Sequence, residues 1–119
     1  MKYMLLIHQG STPTPRDPEA WARLPEEEKQ AIPADYRAVT ETSGVTPGQW
    51  LDEPETATTV RVENGQTLTT DGPFVAVKEA LGGYLFLEAD DIDAAIEVAA
   101  RIPAARLGGA IEVRPIVER

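Results

Sequence analysis

The chain has 119 residues, with 20 acidic and 11 basic side chains and a formal net charge of -9 at pH 7. That length suits one domain over residues 1–119, with a core that needs no staples. The acidic balance argues against nucleic acid and anionic membrane as partners, since both call for a dense lysine and arginine surface. Cysteine is absent and His8 is the sole histidine. Disulfides, thiolate chemistry and multi-imidazole zinc sites are therefore excluded, and neither a metal nor a cofactor is expected.

Met1 to Ile7 is an apolar run too short for a membrane span or a signal-peptide core, so the expected address is the cytoplasm. It reads as a strand covered on both faces, with Tyr3, Leu5 and Ile7 on one side and Met4, Leu6 and His8 on the other. If helices cover one face, a partner subunit is the economical cover for the other. Asp17-Pro18 is a helix start, with an aspartate cap and proline in the first turn. Trp21, Leu24, Glu28, Ile32, Tyr36 and Val39 then recur at helical spacing. Pro25 and Pro33 divide that stretch into two or three short helical pieces, and Gly44 stands where a left-handed cap belongs.

Val45 to Leu51 reads as a weak strand. Beyond the loop 52–57, Asn64-Gly65 between β-rich flanks marks a hairpin over Thr58 to Thr70. A two-residue loop sets Arg61 opposite Leu68. A three-residue loop, Glu63 to Gly65, sets Val60 opposite Leu68, and this bulged register is favoured because it pairs apolar with apolar. Asp71-Gly72-Pro73 closes the hairpin with turn chemistry. Tyr84 to Glu88 is a strand apolar on both faces. Asp90, Asp91 and Asp93 then crowd a helix start, and Ile92, Ala95, Ile96, Ala99 and Ile102 are its expected core stripe, ended by Pro103. Ala110 to Val117 closes the chain as a strand. This order implies an α+β, ferredoxin-like domain with an extra β-hairpin: an antiparallel sheet with helices on one face.

MKYMLLI (1–7), ATTVR (57–61), TDGPF (70–74), KEALGGY (78–84), PAAR (103–106) and IEVRP (111–115) occur in that order. On these segments the chain resembles YCII-related proteins of the DGPF-domain subgroup over nearly its whole length. The resemblance implies a homodimer joined through its sheets into a dimeric α/β barrel, with an unassigned biochemical role. It implies further a regulatory link, because members of the subgroup are often associated in genomes with extracytoplasmic-function sigma factors. The broader superfamily carries a proposed His-Asp active site near the first helix. Here the sole histidine ends the first strand, so that pair does not carry across residue by residue.

Two functional readings follow. In the first, the chain is a dimer that binds a small organic acid or a regulatory protein partner. In the alternative, it is a small cofactor-independent enzyme doing isomerase- or lyase-like proton transfer on a small carbonyl or aromatic acid. Asp71 and His8 are then the catalytic candidates, as a carboxylate at a strand end and an imidazole it can orient. Lys78 and Arg106 are candidate holders of a substrate anion, with Phe74 and Tyr84 in an apolar pocket lining. Each has a structural counterpart: Asp71 in its own turn, His8 hydrogen-bonded at a strand end, Lys78 beside Glu79 on a solvated surface, Arg106 paired with a carboxylate, and the aromatics in core or interface.

Overall fold

The computed structural model describes residues 1–72 and 81–118. Its first strand, β1 (Lys2–His8), lies at the centre of the main sheet because both of its faces are apolar. The alternation predicted from sequence is present: Tyr3, Leu5 and Ile7 are fully buried, whereas Met4, Leu6 and His8 are half-buried on the opposite face. Two helices follow, α1 (Pro18–Ala22) and α2 (Glu26–Thr40). Asp17 caps α1 by accepting a hydrogen bond from the Ala20 backbone N–H at 3.2 Å.

The expectation that Pro33 would break or restart the second helix is not met; α2 runs through it without interruption. Pro33 is exposed, while Ile32 and Val39 are buried on the opposite stripe with Tyr36 packed beside them. Tertiary burial of that stripe outweighs the loss of one helical hydrogen bond.

β2 (Val45–Trp50) is an edge strand whose pairing is interrupted between Pro47 and Trp50. After a 3-10 turn (Pro54–Thr56) come β3 (Thr58–Glu63) and β4 (Gln66–Asp71), which among the described residues pair only with each other. The favoured three-residue loop is corrected here. Arg61 lies opposite Leu68 and Val60 opposite Thr69, joined by a two-residue turn in which Asn64 and Gly65 have φ of 52° and 76°. Those angles define a type I′ turn, for which Asn-Gly is the preferred pair. Apolar matching had no hold on the register because neither face is buried: Val60, Val62 and Leu68 are 58%, 66% and 43% exposed.

β5 (Leu81–Glu88) pairs with β1 and β2, and β6 (Ala110–Pro115) pairs with β1. The order β2-β5-β1-β6, antiparallel throughout, is the ferredoxin-like arrangement, with the β3–β4 hairpin inserted between β2 and β5. Between β5 and β6, α3 (Ile92–Ala100) is capped by Asp91, which accepts from the Ala94 N–H at 2.9 Å. Its buried stripe differs from the one expected. Ala95, Val98, Ala99 and Ile102 face the core, whereas Ile92 and Ile96 are 45% and 50% exposed. The small alanines let the helix sit close to the sheet, and that approach turns the larger isoleucines outward.

The core lies between the helices and one sheet face, where Tyr3, Leu5, Ile7, Leu85 and Leu87 meet Val39, Ala99 and Ile102. On the other face Met4, Leu6 and Tyr84 are half-buried and Phe86 is 37% exposed, with no second layer of described residues over them. The molecule is a slab of 52 × 43 × 17 Å. Its radius of gyration of 16.2 Å exceeds the roughly 13.5 Å of a compact chain of this length, as an outstanding hairpin requires. No helix of the described residues is long and apolar enough to cross a membrane.

Candidate functional site

A groove of about 180 Å³ opens between α2 and the β2 edge of the sheet. Tyr36, Arg37 and Thr40 of α2 form one wall, and Pro47 to Trp50 of β2 form the other. Ile7, Tyr84 and Leu85 make up the floor. Helical spacing puts Tyr36 and Thr40 on one face of α2, with Arg37 beside them at the rim. The interruption in β2 brings Trp50 over Tyr36, edge to face, with ring centroids 5.0 Å apart and planes at 86°. Gly83 permits this, because a Cβ there would come within 2.9 Å of the Trp50 ring.

Burial pushes the Tyr36 hydroxyl pKa up, opposed by the Gln9 side chain, the Ala104 backbone and the charge of Arg106. The Tyr36 hydroxyl is thus neutral at physiological pH. The Gln9 Oε1 and Thr12 Oγ1 atoms, at the exit of β1, are buried without a hydrogen-bond partner among the described residues.

Of the residues singled out from sequence, Tyr84 borders this groove, while its ring lies on the open face of the sheet beside that of Phe86. His8 lies on the opposite, open face of the sheet, its Nε2 3.2 Å from Glu112 Oε1. Glu112 also accepts from Arg114 Nε at 2.9 Å and from the Arg114 terminal nitrogen. These contacts, Arg114 first and His8 second, hold the Glu112 carboxyl below its usual pKa. The carboxylate that His8 meets is therefore Glu112, on the neighbouring strand. Asp71 is exposed at the end of β4, opposite Thr58, and Gly72 follows it with a φ of 99° and donates its N–H to the Ala57 carbonyl.

Arg106 sits after the 3-10 turn Pro103–Ala105, where it pairs with Glu28 and lies 3.1 Å from Asp35, both on α2. These two carboxylates, Glu28 first, hold its pKa above the ordinary guanidinium value. The arginine clamps the 103–106 segment to the helix. Lys78 and Phe74 fall within residues 73–80 and lie outside the described residues.

Arg37 and Tyr36 were missed as site residues from sequence. Tyr36 was absorbed into the helical stripe, and Arg37 has no motif of its own. The Pro47-Gly48 step before Trp50 was the available signal, since both residues disfavour regular pairing in a strand. Among the described residues no group of histidine, aspartate and glutamate is arranged to hold a metal ion.

Comparison with known proteins places these features in context. The family model described as the YCII-related domain matches residues 1–119. An uncharacterized protein of Rhizobium meliloti (strain 1021) is 30% identical over 121 residues, covering 98% of this chain and 92% of its own length.

Proposed function

The chain belongs to the YCII-related family, and from that premise we propose that it is a homodimeric binding protein for a small, flat organic acid. The observation that carries this reading is the groove where Trp50 and Tyr36 stand edge to face beside Arg37. Aromatic walls favour a planar apolar body, and a guanidinium at the rim favours a carboxylate in bidentate geometry. The volume of about 180 Å³ falls below the roughly 300 Å³ at which drug-sized ligand pockets begin. A monocyclic acid is the matching size class.

Binding is favoured over proton transfer by the composition of the lining. Among the described residues it contains neither carboxylate nor imidazole, so no group there is suited to take a proton near neutral pH. His8 faces away on the other side of the sheet, and Asp71 stands on the hairpin. The homodimer is supported by the open face carrying Met4, Leu6, Tyr84 and Phe86, which a second copy would cover.

Titration of the intrinsic tryptophan emission with benzoate and phenylacetate tests the reading. Saturable quenching is expected, lost in Trp50→Phe and weakened about 10-fold or more in Arg37→Gln, since a hydrogen bond to a charged group contributes about 1.5–3 kcal/mol. The thermal midpoint of Arg37→Gln should stay at the wild-type value. Absence of saturable quenching by either acid would sink the proposal.

A further inference from the structure

Resting on the homodimer reading above, we infer that the β3–β4 hairpin is an arm that grips the second copy of the chain through its Val60 and Val62 face. Of the twelve strand residues in the arm, only Thr59 is even half-buried. A lone two-stranded hairpin is marginal in water and needs a further layer to be stable. Its β-branched content, including Val60, Val62, Thr67 and Thr69 on a single face, suits a covered surface better than a solvated one.

The area needed by a stable dimer identifies the cover. Four strands about 4.8 Å apart and about six residues long present a face of roughly 400 to 600 Å², allowing for side-chain relief. A stable interface buries about 800 Å² per partner. The sheet face alone falls short. A two-stranded ribbon of six-residue strands adds roughly 200 Å² of its own and covers as much again where it lands, so exchanged arms close the gap.

Charge points the same way. Two chains of net charge -9 repel one another, so contact is least costly through uncharged surfaces. The Val60 and Val62 face of the arm carries no charge beyond Asp71 at its base. On the open sheet face Met4, Leu6, Tyr84 and Phe86 are uncharged, and the neighbouring Glu112 is matched by Arg114 and His8.

Sedimentation equilibrium over a dilution series tests the inference with two charge-matched variants. Val60→Glu/Val62→Glu puts two charges on the gripping face, and Gln66→Glu/Thr70→Glu puts two on the other. The first should raise the dimer dissociation constant by about 100-fold or more, as expected for truncating a buried anchor, and the second should leave it near wild type. A wild-type chain that is monomeric throughout overturns the homodimer reading and the arm with it. A dimer indifferent to the first variant, or weakened equally by both, overturns the arm alone. Hydrogen exchange of wild-type amides 59–70 gives a check free of substitutions. Their protection should fall with dimer fraction on dilution, and protection unchanged by dilution overturns the inference.

Discussion

Gly83 shows how much of the groove depends on a missing side chain. A methyl group there would meet the Trp50 ring at 2.9 Å and the Gln49 carbonyl oxygen at 3.1 Å. The ring can yield because Trp50 is 53% exposed, but the backbone oxygen cannot yield without shifting β2. Gly83→Ala should therefore cost about 1 kcal/mol of stability, the low end of the overpacking range. It should also separate Trp50 from Tyr36, which near-UV circular dichroism would report as a reduced aromatic signal. Benzoate binding should weaken in parallel. Tyr36 was legible in the sequence only as part of a helical stripe and Tyr84 as a candidate lining residue, whereas Arg37 and the convergence of these residues were not legible. Tyr36 and Arg37 come from a helix, Trp50 from an interrupted strand and Tyr84 from another strand, and spacing along a chain carries no information about meetings between such elements. His8 illustrates the same limit. Strand parity put it on the correct face, yet its carboxylate partner, Glu112, is 104 residues away in sequence.

At the scale of elements, the features legible in the sequence are those decided by burial. The alternation in β1 was readable because one face is wholly buried, and a slip of one residue would turn Tyr3, Leu5 and Ile7 into solvent. The hairpin register was not readable by the same rule, because with both faces exposed the turn chemistry of Asn64-Gly65 decides. Pro33 is the converse case, where a local rule was applied and tertiary packing overrode it. That override has a measurable cost. Proline in a helix interior is about 3 kcal/mol less favourable than alanine, and Pro33 lies exposed at the middle of α2 with little packing to lose. Pro33→Ala should raise stability by about 1 kcal/mol or more and the thermal midpoint by several degrees, read by thermal unfolding. An unchanged midpoint would mean that α2 is already bent to accommodate the ring.

For the molecule as a whole, the cluster on the open face is one contributor to the acid side of the stability profile. Arg114 and His8 lower the pKa of Glu112 in the folded chain. A carboxylate with a depressed folded pKa stabilises above its unfolded value, and the contribution is lost as pH falls through the folded one. Glu112→Gln should therefore flatten the acid limb, seen as a smaller drop in urea midpoint between about pH 6 and about pH 3 than in the wild type. An identical drop in both proteins would show that other carboxylates set that limb. The edges of the sheet carry a different consequence. β2 is broken at Pro47 and Gly48, so that border offers no unbroken row of backbone donors and acceptors to a neighbour, whereas β6 carries proline only at its last residue, Pro115. Growth by adding strand to strand, the route to fibres, is thereby hindered at the β2 border. The homodimer proposed above would instead join face to face, a contact that closes on itself after two copies.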